Sequence, residues 1–591
     1  MPVTSLEAPV AIVGAGPVGM TAALFLARHG LRSLVLESQE SMTGQGSRSI
    51  CVQRDVLDIF DRLGCGRTMA DRGVSWTVGR TYYRDVELFQ IRFPEVGRDA
   101  FPPFVNLPQA MMEEYLLDRL RGEPLIDLHW KHRVESLTQE ADRLRLVAAA
   151  PEGPVEVLAE YAIGCDGARS AMRGLLGIDF PGHSFEDRFL IADVRAKLPF
   201  PNERRFFFDP SFNPGRQVLV HPQPDSVWRI DWQVPADVDA EQERSSGRLD
   251  QRIRAVLGDA EYEIVWLSTY RFHQRVAATF QAGRAFLAGD AAHLMSPFGA
   301  RGLNSGVADA ENLAWKLWLV LQGRAPAELL ETYDAERRAA ARENVAITDA
   351  TMRFMVPPTS MHRLLRTAVL RGSLRVAALR RWVNSGKLST PFVYPSSPIV
   401  ESEAAAGPGG GRRRAGGGPA PRAGALAPDA PCRLATPGPA TREGAVPAGP
   451  VGHPPSAAAP GPAGTPGAVR RLRQALGDGF VALYLPVGLA DGVAFAERGL
   501  ERAPQAPLEL LVVIEPDEPP PDFPAGAAAL VDTEGVLLAT YGGPGSLWLI
   551  RPDGHLAARR VGMDPAGLPD LVDMAAGAHL RPGQPVGTDG R

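Results

Sequence analysis

Cysteine is scarce: 591 residues contain four, Cys51, Cys65, Cys165 and Cys432, far apart and with no CxxC pair. That spacing excludes a zinc ribbon or a disulfide framework and fits free thiols in a reducing compartment. No other metal-ligand spacing is visible, so no metal site is expected. An excess of one charge is missing too, with 63 basic against 68 acidic residues and a net charge of −5. Nothing in that balance addresses nucleic acid, and no basic amphipathic helix addresses a membrane surface. The N-terminal VAIVG is too short for a signal segment, and no positive stretch precedes it. The chain is expected in the cytoplasm.

What is present is enough for several cores. A chain of this length exceeds one domain, and its 45% hydrophobic and 22% charged residues are ordinary for a globular protein. Strand and helix patterns alternate up to about Arg381. From 401 to 469 the chain becomes a tract of Gly, Pro, Ala and Arg with almost nothing large and apolar to bury, and it reads as a disordered linker. From 470 to 591, LELLVVIEP, AAALVD, GVLLATYG and SLWLIRPDG read as short buried strands of a compact α/β domain.

The N-terminal VAIVGAGPVGMTAALFLARHGLRSLVLES has the order strand, glycine turn, helix, strand. Gly14, Gly16 and Gly19 follow the apolar run Val10 to Val13 at GxGxxG spacing, and Gly30 is placed to stop the helix. Gly14 permits the tight turn, Gly16 lets a pyrophosphate approach the backbone, and Gly19 lets helix and strand pack closely. Glu37, at the end of the second strand and 18 residues after Gly19, suits a ribose diol. The fold class that follows is α/β with a Rossmann-like dinucleotide-binding domain. The motif alone leaves FAD and NAD(P) open.

Two later segments follow strands of their own. AIGCDGARSAMR carries Asp166, Gly167, Ser170 and Arg173, and RAFLAGDAAHLMSPFGARGLNSGVADAENLAWKL carries Gly289 and Asp290. In this order and spacing the three segments resemble the FAD-dependent aromatic hydroxylases, the single-component flavoprotein monooxygenases. The resemblance covers about Val10 to Ala350, and GRAFLAGDAAH followed by GLNSGVADAENLAWKL is similar to the branch of phenol hydroxylase, 3-(3-hydroxyphenyl)propionate hydroxylase and the polyketide hydroxylases.

The resemblance implies an FAD-binding domain in two parts, 1–184 and 276–400, with an antiparallel substrate-binding sheet at 185–275. It also implies a thioredoxin-like domain at 470–591; without a CxxC, that domain has no redox role. FAD would be tight and non-covalent, NAD(P)H a transient co-substrate, and a homodimer possible. Asp290 would hydrogen-bond the ribityl chain, and Arg48 would sit near the pyrophosphate. Gln109 and Pro297 would lie beside the cofactor, while the Asp166 segment would also serve the nicotinamide. The helix starting near Leu303, with Gly302 and Asn304, would point its positive end at the flavin. Gly299, Gly302 and Gly306 would clear space beneath a flat ring. His293 reads as structural.

The implied reaction is hydroxylation of an aromatic, phenolic or polyketide substrate by O2 through a flavin C4a-hydroperoxide. The rivals are epoxidation, Baeyer-Villiger oxidation, an antibiotic-inactivating hydroxylation, and a non-catalytic flavin-bound interaction protein. Within the substrate sheet, Phe206, Phe208, Trp228 and Trp232 read as core. His221 and Asp231 are the weak candidates for a base, since strand alternation leaves open which face each side chain takes. All three nucleotide segments lie upstream of 401, so removing the tail is expected to leave the flavin site intact.

Overall fold

The computed structural model describes residues 4–42, 49–93, 100–198, 200–297, 299–355, 357, 359–376, 378–379, 390–401, 421–435 and 470–582. The chain divides into two compact units. One comprises Met1–Leu24, Ser33–Ala310 and Ala341–Thr390; the other comprises Phe25–Arg32, Glu311–Ala340 and Pro391–Arg591. The sequence suggests a boundary near 401, but residues 311–340 belong with the C-terminal part. Among the described residues no helix is long and apolar enough to cross a membrane.

A parallel sheet forms the first layer of the first unit. Its central strands, in spatial order, are Ala285–Leu287, Gly153–Gly164, Thr4–Val13, Ser33–Glu37 and Ile126–Trp130, each parallel to its neighbours. Val10, Ala11, Ile12, Leu34, Val35, Ala162 and Ile163 are almost wholly buried. That is why these strands read as continuous apolar runs rather than alternations. The Pro17–Arg28 helix makes the crossover between Thr4–Val13 and Ser33–Glu37.

The second sheet of this unit has eight strands. They run, edge to edge, His293–Leu294, Glu263–Val276, Gly182–Arg195, Val227–Val234, Gln217–Pro222, Arg204–Phe208, Val78–Tyr83 and Val86–Arg92. It is antiparallel except where Arg204–Phe208 pairs parallel with Val78–Tyr83. The expected span 185–275 therefore omits two strands drawn from about a hundred residues upstream. One face packs Trp228, Ile230, Trp232, Val218 and Val220 onto Leu249, Ile253 and Leu257 of the Arg248–Leu257 helix. The other face carries Phe206, Phe208, Leu219 and Ile191.

In the second unit a seven-stranded sheet has Phe480–Leu485, Leu508–Ile514 and Ala527–Val531 parallel at its centre. Ser546–Ile550 and Leu556–Val561 add antiparallel on one side. Composition placed all of 401–469 in a linker. Within it, Pro431–Leu434 is a strand paired to Ala527–Val531, and Ala427, Ala430 and Cys432 are buried. Small residues suffice there because they fill gaps between larger neighbours such as Leu472 and Tyr541. Residues 402–420 and 436–469 lie outside the described residues.

Candidate functional site

Four strand ends come level at the carboxyl edge of the parallel sheet. Leu36, Val13, Gly164 and Leu287 are register partners across neighbouring strands. Gly14, Cys165 and Ala288 therefore leave the sheet side by side, next to Glu37, the last residue of its strand. Backbone bonds hold this edge: the Gly14 N–H reaches the Leu36 carbonyl at 2.8 Å, and those of Cys165 and Ala288 reach Val13 and Gly164 at 2.7 and 3.0 Å. The three motifs, far apart in sequence, thus form one edge, where open α/β sheets bind ligands.

The glycines at this edge divide into two kinds. A Cβ on Gly14, whose φ is 104°, would stand 2.5 Å from the Cys165 carbonyl oxygen, and one on Gly19 would stand 2.0 Å from that of Gly14. Both serve close packing. Around Gly16, Gly167 and Gly302 a Cβ would meet no atom within 4 Å. Gly306, expected beneath a flat ring, instead packs with Gly289 against Val18, whose Cγ2 would lie 2.7 Å from its Cβ. Gly299 has a φ of 87° and supplies a turn.

The polar residues at the edge are tied to its loops. Glu37 accepts hydrogen bonds from the Ala15 N–H at 2.8 Å and the Gln39 N–H at 2.9 Å, so its carboxylate touches the glycine turn itself. Asp166 accepts from the Ser170 hydroxyl at 2.6 Å and the Met172 N–H at 3.0 Å. Arg173 donates to the carbonyls of Ala291 at 2.9 Å and Ala168 at 3.0 Å, joining the second motif to the third. Asp290 is half-buried in the short 3-10 turn Gly289–Ala291, and Pro297 is exposed.

Behind that turn lies a residue that sequence reading missed. Asp309 is fully buried on the Arg301–Leu321 helix. Its Oδ2 accepts from the Gly289 N–H at 3.0 Å and lies 2.7 Å from Nε2 of the buried His293. The signal was available, since an acid beside the apolar stripe of a helix needs buried partners. Asp309 thus ties His293 to the Gly289 turn.

Gln109 opens the Gln109–Arg121 helix and accepts from the Ser49 N–H at 3.3 Å. Arg48 lies outside the described residues. Asn304 accepts from the Gln53 N–H at 3.0 Å and donates to the Cys51 carbonyl at 2.9 Å, pinning the Cys51–Gln53 strand to the helix that begins at Arg301. Its amide is therefore engaged with protein, and it positions backbone. Leu303, beside it, is half-buried.

The eight-stranded sheet brings a second group together. His221 is paired with Arg229, Arg229 with Asp193, and Asp193 with Trp266. Continuing the register of Arg205 with Val220 places Arg204 opposite His221. These residues form a polar row, flanked by the row Phe206, Leu219, Asp231 and Ile191. Arg229 clamps Asp193 through two bonds of 2.7 Å. Burial pushes Asp231 up to about 7, against the pull of Arg229, while Asp193 adds to the rise. Burial, aided by Arg204 and Arg229, pushes His221 well below its ordinary value. Among the described residues, Asp231 Oδ1 and His221 Nδ1 are buried without a hydrogen-bond partner.

The two groups are physically linked. Asn106 donates to the carbonyl of Pro222, next to His221, at 2.8 Å, and its strand pairs with Cys51–Gln53, the strand that Asn304 holds.

The FAD binding domain family matches residues 7–348. The 3-(3-hydroxy-phenyl)propionate/3-hydroxycinnamic acid hydroxylase of Mycolicibacterium smegmatis is 31% identical over 383 residues, 63% of this chain and 66% of the relative. The chain thus spans about two thirds of that relative's length. A crystal structure of p-nitrophenol 4-monooxygenase from Pseudomonas putida DLL-E4 shares 27% identity and a TM-score of 0.57, covering 66% of this chain and all of that one. The rebeccamycin biosynthetic enzyme RebC with reduced flavin shares 26% identity and a TM-score of 0.68, covering 97% of this chain and 100% of that chain. This chain belongs to the FAD binding domain family. It is an FAD-dependent monooxygenase of the aromatic hydroxylase class.

The residues present fit FAD. Gly16, Gly167 and Gly302 leave the backbone open where a Cβ would otherwise intrude. The Pro17–Arg28 and Arg301–Leu321 helices begin at this edge, where free N–H groups favour anionic ligand atoms.

Proposed function

We propose that the chain hydroxylates an electron-rich, phenolic ring with NAD(P)H and dioxygen as co-substrates. The observation that carries this reading is the linkage of the nucleotide edge to a half-buried sheet face holding His221 and Asp231. The names of the relatives agree, since hydroxyphenylpropionate, hydroxycinnamic acid and p-nitrophenol are all phenols or phenolic acids.

Bound FAD supplies the redox chemistry, taking reducing equivalents from NAD(P)H and activating dioxygen. The Gly16 backbone would receive the pyrophosphate, Glu37 a ribose diol and Asp290 the ribityl chain, while the Arg301–Leu321 helix would face the flavin ring with its positive end. Asp231 is the better of the two base candidates. Its carboxyl changes charge near neutrality, where a general base works best. His221, held neutral by burial beside Arg204 and Arg229, is the weaker candidate. Phe206, Leu219 and Ile191 keep water from the ring.

We read the C-terminal sheet as thioredoxin-like, on its three central parallel strands and two antiparallel additions, with packing as its role. The reaction is tested by anaerobic stopped-flow. A phenolic substrate should accelerate flavin reduction by NADH or NADPH at least about tenfold, a barrier change of about 1.4 kcal/mol. No acceleration by any member of a panel of phenols, phenylpropionates and polycyclic quinones would contradict it.

A further inference from the structure

Large apolar side chains gather on the outward face of one helix, Ser360–Ser373. Met361, Leu364 and Leu365 are 73%, 66% and 59% exposed, and Ala368 is exposed beside them. Their spacing of i, i+3, i+4 and i+7 sets them on a single stripe. The opposite face is covered. Arg366, Leu370 and Ser373 are buried there, and Leu370 packs in the cluster of Phe206, Phe208, Leu219 and Met355. Arg366 donates to the Met355 carbonyl at 2.7 Å, and Thr359 caps the first turn by accepting from the His362 N–H at 3.3 Å. The helix is thus fixed to its unit with the stripe held out to solvent. Single exposed leucines are ordinary, but a contiguous stripe on an anchored helix marks a contact surface. Sequence periodicity hides it, because apolar residues occupy both faces and only the fold shows which is covered.

The charge along this stretch has one sign. A chain with 68 acidic residues in 591 has none between Asp349 and Glu401. The same stretch brings Arg363, Arg371 and Arg375, all exposed. Arg371 continues the spacing of the stripe, three residues beyond Ala368, and Arg375 follows just past the helix. Long side chains in such places cover apolar surface with their stems while the charge stays in water. The chain as a whole carries −5, so attraction to an anionic field is local to this stretch. Two copies of the face laid together would set arginine against arginine, which opposes self-association. An apolar stripe bordered by cations fits instead a surface that is anionic outside and apolar beneath, the headgroup layer of a bilayer with acidic phospholipid.

We propose that the Ser360–Ser373 helix is a peripheral membrane-docking element, laying Met361, Leu364 and Leu365 into the interface of a membrane that contains anionic phospholipid. At 14 residues, about 21 Å, it lies on the bilayer and is too short to cross the roughly 30 Å hydrocarbon core. Its inner residue Leu370 belongs to the cluster that carries Phe206 and Leu219, so the docked bilayer stands one helix away from the face proposed above to meet the aromatic ring. The docking itself does not depend on the hydroxylase reading.

The test is vesicle sedimentation of the full-length, FAD-loaded enzyme with two kinds of liposome. One is phosphatidylcholine alone, the other one part phosphatidylglycerol to two of phosphatidylcholine. The mixed vesicles should bind at least about tenfold tighter, and about 0.5 M sodium chloride should remove most of that preference. Leu364→Asp with Leu365→Asp should lower binding at least about tenfold. Arg363→Gln with Arg371→Gln and Arg375→Gln should bring the two vesicles to parity. FAD content reports whether each variant has folded. Val487→Asp, at an equally exposed valine of the other unit, should change nothing. All four cysteines are buried, so Met361→Cys can be labelled alone with a polarity-sensitive dye, whose emission should shift to the blue on mixed vesicles. Absent or equal binding to the two vesicles overturns the proposal, as does a preference that neither the leucine nor the arginine variant diminishes. So does a dye that stays in water. A wild-type dimer that the leucine variant turns into monomer, without any vesicle binding, assigns the face to a second copy and overturns it too. Docking without hydroxylation of any phenol counts against the hydroxylase reading alone.

Discussion

Asp231 ties a proton to the fold. Burial raises its carboxyl from 3.8 to about 7, with Arg229, Asp193, Arg204 and neutral His221 around it. Between those values the folded chain holds a proton that the unfolded chain has lost. The contribution of Asp231 to stability is therefore most favourable below about pH 4 and falls as pH rises to about 7. Asp231→Asn should gain stability over wild type across that window, on the order of 2–4 kcal/mol by pH 8. Urea denaturation at pH 5 and pH 8 checks it; a difference independent of pH would contradict the assignment. The same variant should lose the rise of kcat/KM through pH 7 that a base near 7 produces. The glycines give a second contrast. Gly16→Ala, at an open position, should fold and lose FAD affinity about tenfold or more, whereas Gly19→Ala should lose fold stability first. Thermal melts of the apo and FAD-loaded proteins separate the two. The glycine spacing was plain in the sequence, but which glycines pack and which leave space depends on the register of strands 150 residues apart. Asp231 and His221 were ambiguous for the same reason, because alternation assigns faces only once neighbouring strands are known.

At the level of elements, the parallel strands and their crossover helix were legible because continuous apolar runs and a 3.6-residue stripe are local signals. Two things were not. The Val78–Tyr83 strand joins the substrate sheet parallel to Arg204–Phe208, a pairing without any local mark. The Pro431–Leu434 strand sits inside a tract whose composition speaks of disorder, yet Cys432 is fully buried. The Arg301–Leu321 helix carries the clearest prediction at this scale. Asp309→Ala removes the acceptor of the Gly289 N–H and the partner of His293. The turn bearing Asp290 should loosen, weakening FAD binding about tenfold and costing roughly 1–3 kcal/mol of stability. Fluorescence titration of the apoprotein with FAD measures the first effect, and unchanged affinity would remove Asp309 from the site.

For the whole molecule, the tail is less dispensable than its position after the nucleotide motifs suggests. Within the second unit Trp315, Leu319 and Leu329 share a core with Phe480, Ala482 and Leu549. Arg551 grips the Glu336 carboxylate at 2.6 and 2.9 Å, and Lys316 reaches the same carboxylate at 2.8 Å, all fully buried. Burial alone would raise Glu336; Arg551 and Lys316 outweigh it and hold the carboxylate far below its ordinary range. Truncation at 401 should therefore give an aggregating protein rather than a soluble flavin domain. Arg551→Met should cost about 3–5 kcal/mol, as breaking a buried ion network does. A soluble, FAD-loaded truncation seen by size-exclusion chromatography would contradict this. The proposed reaction places an oxygen atom from dioxygen on an aromatic ring. Turnover under isotopically labelled dioxygen, with mass spectrometry of the product, tests it most directly: one heavy oxygen atom per product is predicted, and a hydroxyl drawn from water would contradict it.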